Sequence, residues 1–228
     1  ILSRYINNEV IFPSISNTFF SIVEIMKEPF FLIIIKNTLL RTFIGFSISL
    51  TIAIAIGVLS SISKIAYNFM IPILKFLNSI PTIAIILLAL IWLNNELVPM
   101  FVGFIMVFPI LYENILNSIL DVDKDIIQMA KLYRVKKARV IKDIYMPSII
   151  YSISKIFNSA IGINLKMVIA GEVLSQPKYS IGSSLQLKRM YLNTSGVFAW
   201  IILIILLSRV FDLIGNVIKY SLGNDRWM

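Results

Sequence analysis

Neither cysteine nor histidine occurs among the 228 residues. That excludes disulfides, thiol nucleophiles, the usual zinc ligand sets and imidazole acid–base catalysis. Charge is scarce too: Asp, Glu, Lys and Arg make up 14% of the chain against about 25% in an ordinary soluble domain, while 58% is hydrophobic. A chain of this kind, with a mean hydropathy of +0.87, has too little polar surface to cover itself in water. The net charge is +9, but the lysines and arginines are scattered between apolar runs rather than gathered into a stripe. This suits membrane flanks and not a nucleic-acid backbone. No G-x-x-x-x-G-K-[ST] loop is present to cradle phosphates, and residues 1–29 are too mixed and polar for a signal peptide. What remains is an all-α polytopic membrane protein.

A membrane-crossing helix needs about 20 mostly apolar residues, and five windows qualify: 38–59, 69–93, 97–120, 147–170 and 197–220. They lack the polar alternation of barrel strands, so each is read as a helix. The connections then set the orientation. Residues 94–96 carry no basic side chain, whereas 121–146 hold Lys124, Lys131, Arg134, Lys136, Lys137, Arg139 and Lys142. Positive loops stay in the cytoplasm, which places 121–146 inside and Asn95 outside. The odd span count predicts one further span before Ile1, with the true N-terminus in the cytoplasm. The connection 171–196 is expected outside although it carries Lys178, Lys188 and Arg189, and its Gly171, Pro177 and Gly182 predict a structured loop.

The loop 121–146 is patterned. Ile126, Ile127, Ala130 and Tyr133 recur at helical spacing, and Val140, Ile141 and Ile144 form a second set. Two short amphipathic helices are expected, with a turn near Arg134–Lys137. Such a charged pair could lie on anionic headgroups or dock on a cytoplasmic partner.

The segment QMAKLYRVKKARVIKDIYMP resembles the cytoplasmic signature of ABC importer permeases, Glu-Ala-Ala, three residues, Gly, nine residues, Ile-x-Leu-Pro. Gln128 falls at the Glu position, Met129 and Ala130 at the two Ala positions, and Arg134 at the Gly position. Ile144, Met146 and Pro147 fall at Ile, Leu and Pro. The spacing is kept in full, with identity at Ala130, Ile144 and Pro147. The Gly position serves a turn with positive φ, which Arg adopts only at a cost, so either this turn is built differently or the match is looser than its spacing. FPSISNTFFSI, RTFIGFSISLTIAIAIGVL, LKFLNSIPTIAIILLALIWL and the stretch from Glu172 to Asp212 are similar to segments of the permeases for sulfonates, taurine, nitrate and pyrimidine precursors.

The resemblance implies the type I importer membrane domain, a single domain over 1–228 and a sixth span before the five visible here. It implies that a second permease copy completes the pathway, that ATP and Mg are bound by separate ATPase subunits and not by this chain, and that an extracytoplasmic binding protein delivers a small polar or anionic solute. Asp125, Ile126, Gln128, Ala130, Tyr133, Arg134, Ile144 and Pro147 would then form the ATPase-coupling element, with Ile126, Ala130 and Tyr133 as its docking face.

Polar groups inside the apolar windows each need a reason, since a charge at the bilayer centre costs about 2.5–3.5 kcal/mol on insertion scales. Arg209 and Asp212, three residues apart, are expected to satisfy each other. Lys155 and Arg41 are expected to snorkel toward headgroups, and Glu113 to pair with Lys155 or Lys75. Asn78, Asn114, Asn158 and Asn164 read as interhelical glue before they read as pathway groups. Lys166 has three readings: snorkelling, pairing with Glu172, or facing the pathway. An ion channel would want a filter sequence or a ring of like charges, and a membrane enzyme a cluster of catalytic groups at one depth; neither is visible. The competing reading is an ATP-independent channel or scaffold whose basic loop binds lipid headgroups.

Overall fold

The computed structural model describes residues 13–223, side chains at 214 and 217–223 apart, and the span expected before Ile1 lies outside it. The described chain is helical, and its order follows the distribution of apolar runs and breakers. A short helix α1 (Ile15–Lys27) starts where Ser14 accepts from the Asn17 amide and so caps the first turn. It leads into α2 (Phe31–Ile62), the first long span.

The window 69–93 is not one straight helix. It forms α3 (Lys64–Ser79) and α4 (Thr82–Trp92), bent by 101° at the break between them. The cause is local: Ile80 precedes Pro81, the proline ring disfavours helical backbone at the residue before it, and Ile80 sits at φ −78°, ψ 130°. Pro72, by contrast, is carried inside α3.

Next come α5 (Val98–Leu120), α6 (Lys124–Leu132) and the single turn α7 (Lys137–Val140). A π-helical turn (Ile141–Tyr145) joins α7 to α8 (Met146–Ser175) without a break, so residues 137–175 are one continuous helix. Pro147 offers no amide to the carbonyl four residues back and its ring crowds that carbonyl; the wider π-turn just before it relieves both problems. The second amphipathic helix expected in the loop is thus the start of the fourth span. The connection expected to be structured holds α9 (Ile181–Met190), and α10 (Thr194–Gly223) closes the chain. Among the described residues four single helices are long and apolar enough to cross a membrane, and the bent α3–α4 pair, counted as one broken span, gives a fifth.

The core is the α2–α5–α8 group. Gly45 and Gly57 let α2 approach α5 closely, since a Cβ on Gly45 would lie 2.9 Å from the Met100 carbonyl oxygen and one on Gly57 3.0 Å from Ile115 Cγ2. Phe46, Ala53, Val107, Leu111, Tyr112, Ile115 and Ile161 fill the space between. A second cluster around the fully buried Trp200 ties α1, α2, α8, α9 and α10 together through Ile25, Ile34, Leu165, Ile169 and Ile181. Outward-facing Leu32, Phe43, Leu87, Ile91, Ile205 and Leu206 leave α2, α4 and α10 with apolar outer faces. A hydrocarbon solvent accepts such faces, because each helix satisfies its own backbone.

Candidate functional site

Three groups of residues carry functional promise, and they lie at different levels of the bundle. The first is the loop. Asp123 caps α6 by accepting from the Asp125 amide at 2.8 Å. At its far end the Arg134 amide bonds to the Lys131 carbonyl at 3.0 Å and the Val135 amide to the Ala130 carbonyl at 2.9 Å. This is the two-bond Schellman ending, and Arg134 holds the left-handed position that glycine usually takes, at φ 51°. The turn is therefore kept in spite of the arginine.

Along α6, Ile126, Met129, Leu132 and Tyr133 are 44%, 56%, 81% and 74% exposed, whereas Ala130 is buried. The expected docking face is corrected in that respect: Ala130 is covered by its own chain, and the uncovered apolar side chains are Ile126, Met129, Leu132 and Tyr133. Asp125, Gln128 and Arg134 are exposed around them, and Ile144 and Pro147 are half-buried in the helix that follows.

The second group is buried and was not foreseen as a unit. Glu172, fully buried on α8, accepts from Thr38 Oγ1 at 2.9 and 3.0 Å, from Arg41 Nη1 at 3.0 Å and from the Gly182 amide at 3.1 Å. Arg41 is itself buried and also pairs through Nη2 with Glu96. Glu96 accepts from the Lys178 amide at 2.9 Å, and the Ile181 amide bonds to Thr38 Oγ1 at 3.1 Å. Arg41 thus does not snorkel, and Glu172 is not the partner of Lys166. The sequence signal was the presence of one buried-span arginine and one carboxylate near corresponding ends of two spans, but their separation in sequence hid the pairing. Gly182 makes the approach possible, for a Cβ there would fall 2.4 Å from Glu172 Cβ.

The third group is the set of pathway candidates, which the structure does not bring together. Asn164 is fully buried and donates to the Thr42 carbonyl at 2.6 Å, tying α8 to α2. Asn158 donates to Asn216 Oδ1 at 2.9 Å and to the Asp212 carbonyl at 3.4 Å, and Asn114 accepts from Ser152 Oγ at 2.8 Å. These three join helices, as polar groups in lipid-spanning bundles commonly do. Asn78 is exposed on α3, and Lys166 is exposed on α8. Arg209 and Asp212 pair at 3.8 Å as expected. Among the described residues Glu113 forms no ion pair with Lys75 or Lys155 within 4.0 Å; the Lys155 ammonium lies 4.2 Å from the centre of the Tyr151 ring instead.

Residues 49–222 match the family described as the binding-protein-dependent transport system inner membrane component. The chain belongs to this family. Its members are permease components of transport systems, and the helices described above are those of an all-α, multi-pass membrane domain of the type I ABC importer kind. Within the inner membrane component family the chain is 23% identical over 180 residues to a Bacillus subtilis protein named as an aliphatic sulfonates transport permease, a match covering 78% of this chain and 64% of that protein. It is 28% identical over 147 residues to the bicarbonate transport system permease protein of Synechococcus elongatus, covering 64% of this chain and 52% of that relative. A protein of the same name from a second Synechococcus strain matches equally. The chain therefore spans between half and two thirds of the length of these relatives.

Proposed function

We propose that the chain is the permease subunit of an ATP-driven importer for a small polar or anionic solute. The observation that carries this reading is α6: a capped, nine-residue amphipathic helix that keeps its left-handed turn at Arg134 and presents Ile126, Met129, Leu132 and Tyr133 uncovered. An apolar group of this kind on a basic loop fits the groove of a separate ATPase, where ATP and Mg are bound. The loop is cytoplasmic, Asn95 and Glu96 are on the outer side, and a second permease copy completes a pathway opened and closed by alternating access. The outer polar cluster then closes the end where an extracytoplasmic binding protein delivers its ligand. The relatives named for sulfonates and bicarbonate support an anionic cargo.

The test is to purify the chain from its native membranes in mild detergent, identify bound subunits by mass spectrometry and measure ATP hydrolysis. The reading expects a phosphate-loop ATPase at stoichiometric yield, lost in Leu132→Glu while the permease stays folded. A preparation free of ATPase, or an ATPase retained by Leu132→Glu, favours the channel or scaffold reading, in which α6 lies on lipid headgroups.

A further inference from the structure

The helix α8 packs against α2, α4, α5, α9 and α10, yet one narrow strip of it is left uncovered. From Tyr151 to Lys166 the exposed positions are Tyr151, Lys155, Ser159 and Lys166. Gly162 lies on the same strip, and a Cβ built there would meet nothing within 4 Å. At 100° per residue these five positions fall within about 80° of one another, so they form one straight stripe. Its composition differs from the outer faces of α2, α4 and α10, and the polar character continues onto α5, which exposes Glu113 and Asn117. Where α2, α4 and α10 expose Leu, Ile and Phe, α8 exposes no large hydrophobic side chain between Tyr151 and Leu174.

The two lysines stand about 13 Å inside either end of α8 and about 16 Å apart along it, by the helical rise. Neither has a carboxylate within 4.0 Å among the described residues. Snorkelling explains lysines at a lipid face, but it does not explain why serine and glycine hold the stretch between them. That stretch lies at the middle of the span, where a lipid face carries aliphatic side chains.

We infer that the stripe Tyr151–Lys155–Ser159–Gly162–Lys166 is the wall of a water-filled conduit, and that its two ammonium groups select small oxyanions of the carbonate or sulfonate class. This rests on the permease reading and adds to it the residues and the sign of charge. Two cations, with the exposed Glu113 of α5 as one carboxylate at about the depth of Lys155, leave an excess of positive charge that in low-dielectric walls raises the local concentration of anions and repels cations. Lys155 is steadied over the Tyr151 ring, while Lys166 is free to meet the passing solute.

The absence of cysteine makes a direct test possible. Ser159→Cys and Gly162→Cys are introduced singly into the full chain in membranes, with Ile205→Cys on α10 as the lipid-facing control. Each is treated with two water-soluble methanethiosulfonates, one carrying a sulfonate and one a trimethylammonium group, with rates normalised to a free thiol. The expected result is that both stripe positions react, that the control does not, and that the anionic reagent reacts about tenfold faster than the cationic one. That preference should vanish in the background Lys155→Gln plus Lys166→Gln. Stripe positions as unreactive as the control, or reactive without any charge preference, overturn the inference. Bound ATPase is scored on the same preparations. A chain that lacks it fails the permease reading, whereas one that keeps it and shields positions 159 and 162 fails this one.

Discussion

The Arg41 guanidinium and the Glu172 carboxylate, 131 positions apart in sequence, meet at 3.0 Å with both side chains buried in the bundle. The other hydrogen-bond partners of Glu172 are both donors, Thr38 on α2 and the Gly182 amide at the start of α9. A fully buried carboxylate is tolerated only when it is paired and hydrogen-bonded on all sides.

Removing one partner from such a pair costs about 3–5 kcal/mol, since the other charge is left uncompensated. Glu172→Leu and Arg41→Met are each expected to lower the melting temperature in detergent sharply, and the double variant to recover part of the loss. Glu96 is half-exposed, and the outer arm of Arg41 is worth about 1 kcal/mol or less by comparison. Glu96→Gln should melt close to the parent. A large drop for Glu96→Gln would mean the cluster is held from its outer rim.

Gly182→Ala and Gly162→Ala should differ in sign. A methyl at 182 falls 2.6 Å from the Val173 backbone nitrogen and against Glu172, so the overpacking is expected to cost about 1–3 kcal/mol. A methyl at 162 meets open space within a helix, where alanine is favoured over glycine by about 1 kcal/mol. Melting of both proteins measured side by side decides it.

Arg134→Gly relieves a residue held at φ 51° and is expected to strengthen the α6 ending by about 1 kcal/mol. Hydrogen exchange at the Val135 amide, which bonds to the Ala130 carbonyl, reads this locally: slower in Arg134→Gly, faster in Arg134→Val.

Ala130 is buried on α6, four residues after Ile126 and three before Tyr133. Ala130→Trp should push Ile126 and Tyr133 out of line and detach the ATPase, while the melting of the membrane helices stays at the parent value. ATPase copurification together with a melting curve checks both halves; normal retention would leave α6 as a headgroup-binding helix.

Hydropathy alone was enough to find α2, α5, α8 and α10, because each is a long apolar run with polar flanks. It missed the 101° bend between α3 and α4, since Ile80 and Pro81 interrupt the backbone geometry without interrupting the apolar run. The spacing from Gln128 to Pro147 located the loop helix correctly, but not that Ala130 would be covered, which is a matter of tertiary arrangement and not of spacing. By sequence alone Arg41 has the signature of an anchor, because an isolated arginine near a span end usually snorkels; its partners sit on other segments, and no local pattern connects them. The asparagines of α8 were legible as glue, whereas the polar stripe became visible only once burial had sorted α8 into covered and uncovered sides.

One continuous helix, 137–175, begins beside the α6 turn and ends at Glu172 and Ser175. Along some 58 Å of unbroken helix there is no joint to absorb a rotation, apart from the widened turn at Ile141–Tyr145. Pivoted at its loop end and tilted by about 5° relative to α2, such a helix would carry its far end through about 5 Å, by the rise of 1.5 Å per residue. A displacement of that size exceeds the reach of any hydrogen bond, so a tilt of this helix against α2 would part the Thr38, Arg41 and Gly182 donors from the carboxylate.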